Sequence, residues 1–159
     1  MDIFTPAVLN NATLKAFENL PEDPRAKAAF ALFMDLTLAD RTQATRHVMA
    51  YYSDIRQEVG ADEVDQDMRS PASPENIWNH VQPHGVSMMS DDAHWYVIVE
   101  CNCDWDAEHG VTLSFRHGTD IAKVGGFDGH PTNVFAYDDD TLEGVIYRSA
   151  WGNHTRETD

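Results

Sequence analysis

The stretch WYVIVECNCDWDAEHGVTLSFRHG, residues 95–118, decides how the rest of the chain is read. From 95 to 105 the odd positions Trp95, Val97, Val99, Cys101, Cys103 and Trp105 are apolar, while Glu100, Asn102 and Asp104 are polar. A two-residue period belongs to a strand with one buried face, because successive side chains leave a pleated backbone on opposite sides. After 106–110 the alternation resumes, with Val111, Leu113 and Phe115 against Thr112, Ser114 and Arg116. The two runs predict an antiparallel hairpin whose connection uses Gly110 at a positive φ. Setting Trp105 opposite Val111 pairs Cys103 with Leu113, Cys101 with Phe115 and Glu100 with Arg116, so apolar side chains meet apolar ones.

Upstream the pattern is helical. Asp23-Pro24 supplies an N-cap and a proline at the first helical position, and the run to 34 favours a helix with Phe30, Phe33, Met34 and Thr37 on its packing face. A second helix is expected over 42–59, where Ala44, Val48, Tyr51, Tyr52, Ile55 and Val59 recur at three and four residues, with Gly60 as a stop. His47 reads as a structural or surface histidine, since no second ligand stands at helical spacing from it. Residues 62–73 read as a connection. Ser73-Pro74 opens a further short helix that buries Ile77, Trp78 and Val81 and ends at Pro83. Residues 86–89 form a short strand. Residues 1–20 read as a tethered arm in which Phe4, Val8, Leu9, Leu14 and Phe17 cover part of the core, with Leu14 and Phe17 on one face of a short helix.

Downstream, 120–124 adds a strand carrying Ile121 and Val124. The glycines at 125, 126 and 129 lack the spacing and context of a phosphate loop, which argues against a nucleotide site. Leu142, Val145, Ile146 and Tyr147 form a last strand or turn-and-strand unit after a solvated turn at Asp138, Asp139 and Asp140, and Trp151 docks back on the domain. Helices first and antiparallel strands afterwards give an α+β fold, N-terminal helices packed against a C-terminal, mainly antiparallel sheet. The expected organisation is one domain over 1–152 and a frayed tail over 153–159.

Eleven basic against 27 acidic residues among 159 give a net charge of −16. That field disfavours nucleic acid and anionic membrane as partners and suits a basic protein or a cation. The two cysteines stand at i and i+2 of a strand, too far apart for an easy mutual disulfide, and read as buried reduced thiols. With no leader and no apolar run of about 20 residues, the sequence points to the cytoplasm.

Residues 101–110, CNCDWDAEHG, followed by 113–118, LSFRHG, and 124–133, VGGFDGHPTN, resemble an uncharacterised bacterial domain family with a Cys-x-Cys-x-Trp-acidic-x-Glu-His-Gly segment and a later Asp-Gly-His segment. The resemblance runs from about Asp67 to Tyr147, with Leu142 to Val145 near its end, and Pro131 replaces the more common leucine. It implies a shared fold and an immunity-like context, with no reaction attached.

The residues that can do chemistry crowd two loops. Asp104, Asp106, Glu108 and His109 occupy one predicted turn, and Asp128 and His130 a second. Asp104, Asp106, His109, Asp128 and His130 are candidate ligands for a divalent cation, with Glu108 managing a proton; no catalytic residue is assigned, and Glu108 and His109 are the candidates. No cofactor is firmly implied. Against this stands a structural reading, in which Glu108 accepts backbone donors in the turn and the Asp128-Gly129-His130 turn closes its own loop. Two functions follow: an interaction or immunity-like binding protein acting on a basic partner, or a metal-dependent hydrolase.

Overall fold

The computed structural model describes the backbone of residues 2–4, 13–16 and 20–157, and the side chains of 20–157 apart from Asp67. Among the described residues eight strands and four α-helices follow in the order β1 (Asp2–Phe4), β2 (Thr13–Ala16), α1 (Pro24–Met34), α2 (Leu38–Val59), α3 (Ala61–Asp67), β3 (Val81–Ser90), β4 (Trp95–Cys103), β5 (Val111–Arg116), β6 (Asp120–Gly125), α4 (Asn133–Tyr137), β7 (Val145–Tyr147) and β8 (Thr155–Arg156). A 3-10 helix, Pro74–His80, leads into β3. The fold is α+β, with the helices packed against a six-stranded sheet ordered β1-β2-β3-β4-β5-β6; β7 and β8 form a separate pair. The sheet is antiparallel except where β2 runs parallel to β3.

The caps explain where the helices start. Asp23 accepts from the Arg25 N–H ahead of Pro24. Thr37 and Asp40 form a capping box at α2. Thr37, expected on a packing face, is therefore exposed and works through its backbone and hydroxyl. Phe33 from α1 and Val48, Tyr51 and Tyr52 from α2 meet Val97, Val99, Leu113 and Phe115 of the sheet in the main core. Each such buried side chain contributes about 1.5–3 kcal/mol. Val59, at the end of α2, is instead half exposed.

The hairpin has the expected faces and a different register. Cys101 stands opposite Val111, Val99 opposite Leu113, and Val97 opposite Phe115. Glu100 meets Thr112, and Arg116 meets Tyr96. Cys101 thus pairs four residues away from the expected Phe115. An even slip keeps every side chain on its face, so alternation does not resist it. The choice is made at Gly110, whose φ is +64°, a left-handed value, and where a Cβ would stand 2.3 Å from the Cys101 carbonyl oxygen. Trp105 leaves the strand and sets its indole edge-on to Tyr51 and Tyr52, with ring centroids 5.7 and 5.9 Å apart. Both cysteines are buried and unpaired with each other.

The strand's other face is not the open surface that the alternation suggests. Tyr96 and Ile98 are buried with Ala122 in a second, smaller cluster. Further along that face Ser114 is fully buried and donates to the Pro131 carbonyl at 2.8 Å, which lays loop 126–132 over the sheet.

Other boundaries moved for local reasons. The helix predicted to stop at Pro83 ends at His80; Pro83 lies inside β3, where the register shifts between Pro83 and Gly85 and a missing N–H is tolerated. β3 is accordingly longer than the expected 86–89. Leu14 lies in a strand rather than a helix, paired with Ile3; the core roles suggested for Phe4, Val8, Leu9, Leu14 and Phe17 fall outside the described side chains. Trp151 is 53% exposed instead of docked. Within the segment read as a tail, His154 Nδ1 accepts from the Ser149 N–H, and Thr155 and Arg156 pair with β7.

Candidate functional site

Loops 104–110 and 126–132 meet at a cleft of about 250 Å³ lined by Tyr51, Asp106, His109, Lys123, Asp128 and Arg148, with α4 and the end of β7 as its far wall. Contact between the loops is direct, since the Phe127 N–H donates to the His109 carbonyl at 3.3 Å. Gly126 permits it: a Cβ there would lie 3.2 Å from the His109 Cβ and 3.3 Å from the Tyr51 hydroxyl.

Asp106 organises the first loop. Its carboxylate accepts from the His109 N–H at 3.1 Å and from the Tyr51 hydroxyl at 3.1 Å, and lies 3.0 and 3.1 Å from His109 Nδ1. An ionised carboxylate only accepts, so Nδ1 carries a hydrogen and Nε2 is the ring's other working atom. The Tyr51 hydroxyl also reaches the Gly110 carbonyl at 2.9 Å. Burial, with the negative Asp106 beside it, pushes the Tyr51 phenol well above its ordinary range, so it stays a neutral donor. Asp106 is only 14% exposed and His109 is 59% exposed, which leaves an oriented imidazole at the cleft surface.

The second loop is organised by Lys123. Its side chain points from β6 under loop 126–132, is 5% exposed, and is ion-paired with Asp128. The ammonium also donates to the His130 carbonyl at 3.4 Å. Burial lowers the Lys123 pKa, and Asp128 acts in the opposite sense. Asn133, buried at the start of α4, donates to the Val145 and Ile146 carbonyls, both at 3.0 Å, and fixes α4 on β7.

The sequence-predicted donors therefore divide. Asp106, His109 and Asp128 line the same cleft. Asp104 turns away, to His80 Nδ1 at 2.8 Å and to the Gln82 amide at 3.3 Å. His130 places its ring against Phe135, centroids 5.8 Å apart. Glu108 is exposed, and the turn closure proposed for it is made by Asp106. Among the described residues no group of three or more His, Cys, Asp or Glu side chains is arranged to hold a metal ion. Cys101 and Cys103 sit in the core; burial pushes both thiols up, Cys103 to about 12, so neither is a ready thiolate.

Sequence reasoning missed Tyr51, Lys123 and the far wall. Tyr51 was indistinguishable from its helical core neighbours. Lys123 did carry a signal, a cation inside the apolar run Ile121 to Val124 with a carboxylate five residues on. One exposed ring, Tyr137, lines the cleft, and three more stand near lining residues in the sequence: Phe127 between Gly126 and Asp128, Phe135 two residues before Tyr137 on α4, and Trp151 after Ala150. These four are 48–55% exposed. The Arg148 guanidinium stacks over Tyr137 at 4.4 Å.

A family model, Domain of unknown function (DUF6985), matches residues 4–131. The chain belongs to this family. The match takes in the N-terminal helices, which the resemblance read from the sequence left out, and stops before the segment at 142–145 which that reading included. Asp106, His109, Lys123, Phe127 and Asp128 lie within the DUF6985 match; Tyr137, Arg148 and Trp151 lie beyond it. Neither the curated proteins nor the solved structures contain a match to the chain. Among the described residues no helix is long and apolar enough to cross a membrane.

Proposed function

We propose that this DUF6985 protein works in the cytoplasm by binding a basic protein partner at the cleft and its aromatic rim. The observation that carries this reading is the half-exposed Tyr137 ring in a charged cleft, with the half-exposed Phe127, Phe135 and Trp151 close in sequence to its lining residues. Half-exposed aromatics and a stacked arginine are the side chains that concentrate binding energy at protein interfaces, because they bury large area with few rotors. Asp138, Asp139 and Asp140 follow Tyr137 directly, on a chain of net charge −16, so a basic surface is drawn to this side. The immunity-like context implied by the family resemblance is of this kind, a protein that acts by covering another.

The test compares two baits in extract of the source cells, wild type and Tyr137→Ala/Trp151→Ala. A basic protein is retained by the wild type, is released as salt rises, and drops about tenfold on the variant. Identical retention by the two baits ends the reading.

A second reading, cation-assisted hydrolysis, rests on Asp106, His109 and Asp128 lining one cleft, although they form no group arranged to hold a metal ion among the described residues, with Glu108 or His109 handling the proton. Elemental analysis of gently purified protein tests it. Absence of stoichiometric metal together with no metal-dependent thermal shift removes it.

A further inference from the structure

Two imidazoles meet at the end of the sheet opposite the cleft loops. His94 closes the β3–β4 turn and His117 opens the β5–β6 turn, and their rings stand edge-on, with centroids 4.7 Å apart and planes at 89°. Both residues are held from the backbone. Asp91 Oδ1 accepts from the Ala93 and His94 N–H groups at 3.1 and 2.7 Å, and Asp91 Oδ2 accepts from the Tyr96 hydroxyl at 2.6 Å. The Asp91 N–H donates in turn to the His94 carbonyl at 3.2 Å. On the other turn the His117 N–H donates to the Trp95 carbonyl at 2.8 Å, and His117 takes a left-handed φ of +55°, a conformation that is costly for a residue with a Cβ.

We propose that His94 and His117 form a two-imidazole site for a divalent late transition-metal ion, Cu²⁺, Ni²⁺ or Zn²⁺, which ties the two turns together. An orphaned nitrogen sets this pair apart from the other histidines. His47, His80, His109 and His154 each engage a polar partner through Nδ1. His94 Nδ1 is buried with no hydrogen-bond partner among the described residues, and a desolvated nitrogen in that state calls for a partner that the protein does not supply. Contact with the edge or face of a second ring does not relieve it, whereas coordination does. The spacing suits a shared ion. Two imidazoles bound at metal–nitrogen distances of about 2.0–2.1 Å, at angles of about 90–110°, have centroids about 4.5–5.3 Å apart. The donor set selects the ion, because neutral imidazole suits Cu, Ni and Zn while Ca²⁺ and Mg²⁺ demand oxygen. Asp91 is committed to its turn, and among the described residues no third His, Cys, Asp or Glu completes the group, so water fills the remaining positions. A chain of net charge −16 draws cations to its surface.

The experiment uses the full chain, stripped of metal with a chelator, and titrates Zn²⁺ by calorimetry and Cu²⁺ by electron paramagnetic resonance, with circular dichroism confirming the fold of each variant. The tightest site of the wild type takes one equivalent, binds Cu²⁺ more tightly than Zn²⁺, is indifferent to excess Mg²⁺, and shows two nitrogen ligands in the Cu²⁺ spectrum. His117→Ala changes an exposed side chain and weakens that site at least about tenfold, the loss that even an outer-shell change brings, with one nitrogen left in the spectrum. His94→Ala does the same. His109→Ala leaves affinity and spectrum unchanged, which separates this site from a metal in the Asp106, His109 and Asp128 cleft. Wild-type affinity in folded His117→Ala overturns the inference, as does a wild type that takes up neither ion or shows a single nitrogen ligand. A loss in His109→Ala that His117→Ala does not share assigns the ion to the cleft and also overturns it.

Discussion

The β4–β5 hairpin and the β7–β8 hairpin are both antiparallel pairs, and different forces hold them. In the first, Val97, Val99 and Leu113 are fully buried and Phe115 nearly so, and the backbone ladder runs over six paired positions. In the second, the partner strand is two residues long and is fastened by polar side chains reaching from α2 and β5. Burial acts over an area and resists any local opening, whereas a few hydrogen bonds in water exchange readily for bonds to solvent or to another chain.

The largest expected effect comes from attacking the first hairpin. Leu113→Ala removes a fully buried side chain beneath α1 and α2 and lowers the unfolding free energy by about 2–5 kcal/mol in urea denaturation. A loss no larger than that of a surface substitution would mean that the core is centred elsewhere.

Gly110→Ala tests how the register is chosen. The new methyl meets the Cys101 carbonyl and forces a left-handed φ on alanine, for a cost of roughly 2–3 kcal/mol. If the variant is as stable as wild type, the turn is not what fixes the pairing. The second hairpin responds less: Thr155→Val removes the His47 and Tyr147 N–H contacts and costs roughly 1 kcal/mol, with faster amide exchange confined to 144–157.

The smallest effect is expected at Asp23, a partly exposed carboxylate that joins the start of α1 to the start of β4 through the Trp95 indole at 3.2 Å. The Arg25 side-chain hydrogen bond, then the Arg25 backbone N–H, then Trp95 hold its pKa down to about 2, against 3.8 for an ordinary aspartate. The stability it contributes is therefore present above the unfolded pKa and lost as pH falls through the folded one. The gap between wild type and Asp23→Ala in denaturation midpoint stays constant at neutral pH and closes between about pH 4 and pH 2. A gap that is undiminished at pH 2 would assign the effect to packing of Trp95.

Much of the scaffold could be read in one dimension because its signals are local. The cap at Asp23-Pro24, the helical spacing of Val48, Tyr51 and Tyr52, and the two-residue period from Val97 to Cys103 depend only on backbone geometry. The register was not readable, since slips by an even number leave the same faces buried. Of the site, the sequence identified Asp106, His109 and Asp128 as chemically interesting. It could not place Asp104 beside His80, or assign the turn-closing bonds to Asp106 instead of Glu108.

What the chain determines by itself is which faces seek burial, where helices begin, and its net acidity. These follow from the periodicity, the caps and the count of charges. Tertiary structure alone decided that Gly110 sits over Cys101, that loop 126–132 covers Lys123, and that residues 155–157 lie against Arg46, His47 and Arg116. The last of those joins residues far apart in sequence and exists only because packing of the core brings their backbones within reach, and the first two depend on how a turn and a loop settle on the sheet, which periodicity does not encode.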